Sequence, residues 1–162
     1  MSEPTHSNTV AGWREWVQLP DEGIPWIKAK LDTGAQTSAL HAVKVEEFTR
    51  DAAAWVRFVV HPWQRSVADT ITVELPVHDR RRVRSSSGHV QDRFVVLMPL
   101  VLVGRSVVAE VTLTNRDSMG FRMLIGREVL RQGFLVNSGK SYLGDRAPKP
   151  VRRRNRGASA GR

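Results

Sequence analysis

Through much of its length this chain sets apolar side chains at every second residue, the spacing that lines one face of a β-strand. In residues 13–19, Trp13, Glu15, Val17 and Leu19 fall on one side and Arg14, Trp16 and Gln18 on the other. After a turn at 20–23, a second run places Ile27, Ala29 and Leu31 against Lys28 and Lys30, as in a half-buried strand. Further strands are expected at 55–60, 70–75, 93–98 and 106–114, each bounded by Pro, Gly, Asp or Asn. Residues 83–94 read as a hairpin whose flexible tip is Ser85, Ser86, Ser87, Gly88 and His89, a candidate flap. One short helix is expected at 127–132, where Gly133 is placed to end it. The pattern predicts an all-β chain with a single short helix towards its C-terminal end.

A length of 162 residues suits one domain with a real core. No stretch approaches the roughly 20 uninterrupted apolar residues of a membrane span, and residues 1–10 lack the apolar core of a secretory signal. Without cysteine the chain has no disulfide, no thiolate nucleophile and no cysteine-based zinc site, which fits a reducing compartment. The expectation is a soluble, cytoplasmic protein with no membrane contact. The formal charge of +9 is concentrated at one end. Arg146, Lys149, Arg152, Arg153, Arg154, Arg156 and Arg162 form a segment without an acid, and the rest of the chain is close to neutral. This divides the chain into a disordered lead at 1–11, a domain at 12–145 and a basic, disordered tail at 146–162. Such a tail reaches RNA or other polyanions weakly, by charge alone.

The chemistry concentrates at Asp32-Thr33-Gly34-Ala35, which closes the apolar strand ending in Leu31. Gly34 lets the backbone turn close to the carboxylate, and the Thr33 hydroxyl can brace the loop. About 90 residues later the apolar run Phe121-Arg122-Met123-Leu124-Ile125 leads into Gly126 and Arg127. A second such loop is missing: at Asp117-Ser118-Met119-Gly120, Met119 stands where glycine must follow the hydroxyl residue. The five histidines, His6, His41, His61, His78 and His89, are scattered singly, with no His-Glu-x-x-His, so no metal site is expected. There is no Gly-x-x-x-x-Gly-Lys-Ser/Thr loop and no dinucleotide fingerprint, so no cofactor is expected either. The five tryptophans are expected mostly in the core or an interface, with Trp26, just before the Asp32 strand, the one placed for an interface.

These segments resemble, in type and order, those of the retroviral proteases. They resemble more closely a bacterial family of retropepsin-like peptidases, often labelled ATP-dependent zinc proteases, over about residues 12–144. The resemblance implies a closed retropepsin-like (acid protease) barrel with a flap hairpin and one short C-terminal helix. It implies Asp32 as the catalytic residue, with Thr33, Gly34 and Ala35 supporting its loop. Leu124, Ile125, Gly126 and Arg127 would thread that loop and start the helix beneath it, and Ser86, Ser87, Gly88 and His89 would form the flap. It further implies a homodimer in which two Asp32 carboxylates share a proton and activate a water against a peptide or protein substrate, and ATP-grasp ligases as a partner pathway. Two positions depart from related enzymes. Ala35 removes a hydroxyl donor, which would raise the pKa of the pair. Gln36 replaces the acid that pairs with the arginine after the glycine, so Arg127 needs another partner, Glu128 or a strand carbonyl. The alternative expectation is a non-catalytic module of the same fold that binds peptide, or RNA through its basic tail.

Overall fold

The structure, a computed structural model, describes residues 8–63, 69–84, 87–115 and 120–156. Among these, twelve strands run in chain order: β1 (Thr9–Gly12), β2 (Arg14–Leu19), β3 (Ile24–Leu31), β4 (Ser38–His41), β5 (Val43–Arg50), β6 (Ala53–Val60), β7 (Ile71–Pro76), β8 (Asp79–Arg84), β9 (Val90–Leu102), β10 (Arg105–Thr114), β11 (Met123–Ile125) and β12 (Phe134–Asn137). Helix α1 (Arg127–Leu130) follows β11, and α2 (Lys149–Asn155) lies beyond β12. The chain is mostly β, as the alternation predicts.

Seven strands hydrogen-bond in the order β10-β4-β11-β3-β2-β9-β8. Strand β9 also pairs antiparallel with β10 along 105–112, so the pairings return to their start in a ring-like sheet, with β8 outside the ring as an edge. Period-two burial fills the ring: Val17 and Leu19 from β2, Ile27 and Ala29 from β3, Met98 and Leu100 from β9, Ala109 and Val111 from β10, and Met123 and Ile125 from β11 are at most 1% exposed. A three-stranded antiparallel sheet β5-β6-β7 buries Val56, Phe58 and Val60 of β6 into the same core.

Glu15 shares the inward face of β2 and is fully buried. Its carboxylate accepts three main-chain N–H groups, from Gly12 (2.7 Å), Leu143 (2.8 Å) and Gly144 (3.0 Å). These bonds supply the partners that a buried charge needs. They also fasten the segment after β12 across β2, where Tyr142 N–H donates to Arg14 O and Trp13 N–H to Lys140 O.

Both expected disordered ends contain structure. Residues 9–11, expected in the lead, belong to β1, which finds a parallel partner in β12, from Thr9↔Phe134 to Gly12↔Asn137. In the expected tail, residues 149–155 form α2, with proline in its first turn and three arginines in its last. Ala147 and Asn155 are buried there, and Arg154 pairs with Asp69 at 3.0 Å. The expected helix at 127–132 is helical over Arg127–Leu130 and then turns, ending at Gly133 with φ 106°.

Candidate functional site

The Asp32 loop is built by threading. Strand β11 lies between the two strands that flank the loop, parallel to β3 (Ile125↔Leu31) and antiparallel to β4 (Leu124↔Ala39). Asp32 N–H donates to Ile125 O at 2.9 Å, Arg127 N–H to Ala35 O at 2.7 Å and Glu128 N–H to Gln36 O at 3.0 Å. Gly126 is required by contact: a Cβ there would lie 2.6 Å from the carbonyl carbon and oxygen of Thr37. Leu124, Ile125 and Gly126 therefore lie against the loop, and Arg127 opens α1.

Within the loop, Asp32 is half-buried and its Oδ1 accepts Gly34 N–H at 2.8 Å. The bracing hydroxyl belongs to another residue than expected. Thr33 is exposed and makes no side-chain hydrogen bond among the described residues, whereas the buried Ser38 hydroxyl accepts Gly126 N–H at 3.0 Å. Arg127 is exposed without a side-chain partner among the described residues. Glu128 instead accepts Glu110 N–H at 3.1 Å and the Gln132 amide at 3.3 Å.

Beside this loop opens a cavity of about 590 Å³. One wall is Ala35, Gln36, Thr37, Ala39, Thr112 and Leu124, and the opposite wall is the β8–β9 hairpin, which contributes Arg81, Arg82, Val83, Arg84 and Arg93. Asp32, Thr33 and Gly34 are not among the lining residues. Of the expected flap tip, Ser87, Gly88 and His89 are exposed and do not line the cavity, and Ser86 lies outside the described residues. The arms of the hairpin, rather than its tip, face the cleft.

The cleft acids Glu110 and Glu128 already have partners. Arg81 donates to Glu110 at 2.8 Å and to Asp79 at 2.9 Å, and His78 stands 3.6 Å from Glu110. The hydrogen bonds to Asp79 and then Glu110 raise the Arg81 pKa, and the same Arg81 bond is the main cause that lowers Asp79. Burial pushes the Arg93 guanidinium below its ordinary value. Arg84 is exposed and has no acidic partner among the described residues. With Arg81 held by Asp79 and Glu110 and Arg82 3.5 Å from Asp92, Arg84 and Arg93 are the cleft arginines without an acidic partner among the described residues, and guanidinium groups so placed suit carboxylates. Sequence reading missed these arginines, although Arg80, Arg81, Arg82 and Arg84 are nearly consecutive on a strand arm, where both faces carry charge. Among the described residues no three His, Asp or Glu side chains are grouped to hold a metal. His41 is buried on β4, with its ring centroid 6.3 Å from that of His61.

An Asp-Thr-Gly loop threaded by an apolar-apolar-Gly strand within a ring-like sheet defines the retropepsin-like class. Residues 10–147 match the family described as RimB-like, retropepsin-like aspartic endopeptidase RimB, and the chain belongs to that family. A probable alpha-L-glutamate ligase of Parasynechococcus marenigrum is 47% identical over 137 residues, covering 84% of this chain and 29% of that protein. One of Shewanella halifaxensis is 43% identical over 133 residues, covering 82% and 29%. The chain thus spans about three-tenths of the length of these relatives. A solved structure from Legionella pneumophila, of a protein of unknown function, superposes with a TM-score of 0.72 at 26% identity, covering 85% of this chain and 98% of the other. The relatives' names correct the expected activity. At 42–47% identity they are named ligases, not peptidases, so the expectation of an aspartic endopeptidase, a hydrolase, does not stand.

Proposed function

We propose that this chain serves α-L-glutamate ligation by holding a glutamate-bearing peptide in the arginine-lined cleft beside the Asp32 loop. The observation that carries the reading is the set Arg81, Arg82, Arg84 and Arg93 on one wall of the cavity. Guanidinium groups bind carboxylates through paired, charge-assisted hydrogen bonds, and an acidic peptide presents them in series. A volume of about 590 Å³ lies within the range of pockets that enclose small ligands, enough for a few side chains. The relatives' name supplies the residue type, glutamate. Because the chain matches only part of those relatives, its share in this reading is binding, with bond formation left to the remainder of such an enzyme.

Within this proposal the ring of paired strands is a closed retropepsin-like barrel and the β8–β9 hairpin is its flap, closing arginines over the bound peptide. The absence of cysteine supports a reducing cytoplasm as the compartment.

The test is fluorescence anisotropy with labelled α-linked hexaglutamate, with hexaglutamine as the uncharged control. Hexaglutamate should bind preferentially, and Arg82→Ala with Arg84→Ala should weaken it about tenfold. Equal affinity for the two peptides, or unchanged affinity in the double variant, would sink the reading.

A further inference from the structure

Outside the cleft, a second surface combines positive charge with aromatic rings. Strands β2 and β3 pair with Arg14 opposite Lys30 and Trp16 opposite Lys28, so two cation-bearing positions face each other where repulsion is expected. Over this face lies the segment 140–146. The Arg14 guanidinium sits between two rings, 4.7 Å from the Trp13 centroid and 5.0 Å from that of Tyr142. Lys28 lies 5.4 Å from Trp16 and 5.6 Å from Tyr142, and Arg146 lies 5.6 Å from Tyr142. Trp16 and Tyr142 stack at 6.5 Å, and Phe121 meets Trp13 edge-on at 6.0 Å.

The arrangement is imposed on the chain. Tyr142 has φ 56°, a left-handed backbone that costs a non-glycine residue energy, and it is held there by the Glu15 bonds to Leu143 and Gly144. Charge balance points the same way. Several arginines elsewhere meet acids: Arg50 and Arg57 meet Glu74, Arg80 meets Glu47, and Arg154 meets Asp69. On this face Arg14 meets a hydroxyl, Ser141 Oγ at 3.1 Å, and Lys30, Lys140 and Arg146 have no acidic partner among the described residues. Asp145, the one acid of 140–146, makes no ion pair with them among the described residues.

We infer that this face docks single-stranded RNA. Unneutralised cations take the phosphates, and the half-buried rings of Trp13, Phe121 and Tyr142 beside the Arg14 guanidinium take the bases, which an acidic peptide does not possess, while the buried Trp16 backs Tyr142. The docking surface is a folded part of the chain, separate from the arginines of the cleft and from those of α2.

The experiment measures anisotropy of a labelled oligouridylate of about 12 nucleotides with the full chain over a salt series. It compares wild type with Lys30→Ala/Lys140→Ala/Arg146→Ala and with Arg152→Ala/Arg153→Ala on α2, each checked for folding by circular dichroism. Losing three phosphate contacts should weaken the complex about tenfold or more and flatten the salt slope by about 2. The α2 variant should stay within about twofold of wild type, because the inference assigns no phosphate contact there. Inorganic polyphosphate should bind less well than RNA of equal charge, and hexaglutamate should not displace the RNA. Unchanged RNA affinity in the triple variant, loss confined to the α2 variant, polyphosphate binding equal to RNA, or displacement by hexaglutamate would each overturn the inference.

Discussion

The main-chain N–H of Gly126 donates to the Ser38 hydroxyl at 3.0 Å, joining residues 88 positions apart. Ser38 O in turn accepts the Thr112 hydroxyl at 3.2 Å, so one small residue ties β4, β10 and the end of β11 together. Ser38→Ala should leave a buried N–H without its acceptor and lower stability by about 1–3 kcal/mol. Urea denaturation measures the loss, and a change below about 0.5 kcal/mol, the size of an ordinary surface substitution, would count against this role for the hydroxyl.

Two glycines, one on either side of β11, should differ in their response to alanine. At Gly126 the added methyl would meet the Thr37 carbonyl at 2.6 Å, a backbone group that cannot swing aside, whereas at Gly120 nothing among the described residues lies within 4 Å. Gly126→Ala should cost about 3 kcal/mol or prevent folding, and Gly120→Ala should stay within about 0.5 kcal/mol. Parallel thermal melts distinguish them.

Glu15→Gln should turn an acceptor of three N–H groups into a side chain with one acceptor oxygen and a donor. The expected loss is about 1–3 kcal/mol, with faster hydrogen exchange at Leu143 and Gly144, whose amides point at the carboxylate. Unaltered exchange at both amides would show that the segment is held by something else.

Asp79 gives the cleft wall a pH dependence of fixed sign. Its pKa is lowered, mainly by the Arg81 hydrogen bond and then by Arg80 N–H. A depressed carboxylate stabilises the fold above its unfolded value, about 3.9, and that contribution disappears as pH falls through the folded value. Asp79→Asn should therefore lower the melting temperature near neutral pH and converge with wild type in strong acid. A constant difference across the range would contradict this.

Homodimerisation, expected from the need for a second Asp32, loses that argument with the peptidase reading and stands as a proposal on different ground. Val10 and Leu135 face each other across β1 and β12 and are 44% and 53% exposed, an apolar pair on a two-stranded sheet. Leu135→Glu should shift sedimentation towards monomer if copies join there, and identical sedimentation would remove the proposal.

The threaded loop was legible through the resemblance to retropepsin-like peptidases, carried by Asp32-Thr33-Gly34 and by Ile125-Gly126-Arg127. Leu31 ends an alternating strand, Gly126 stands where backbones crowd, and Met123 and Ile125 are buried. Glu15 was not legible as a buried anchor, since its partners are main-chain N–H groups more than 125 residues away as well as at Gly12. Strand β5 escaped detection because a register shift between Val43 and Glu46 breaks the alternation begun by Val43 and Val45, and none of its residues is fully buried. Strand β1 is specified by its partner β12 rather than by itself. The cationic cleft was hidden because charge on β8 reads as an exposed hairpin until β4, β10 and β11 are placed opposite.

Threading β11 between β3 and β4 also sets an order of events during synthesis. The Asp32 loop emerges early, but Ile125 O, Gly126 N–H and the α1 amides that fix it are made about 90 residues later, which at about 5–20 residues per second is a delay of roughly 5–20 seconds. Until then β3 and β4 expose edges that β11 will occupy, and those edges can pair with a neighbouring nascent chain. Early strands must wait for a late one, so rapid translation of 36–122 favours the native threading and a pause there favours aggregation.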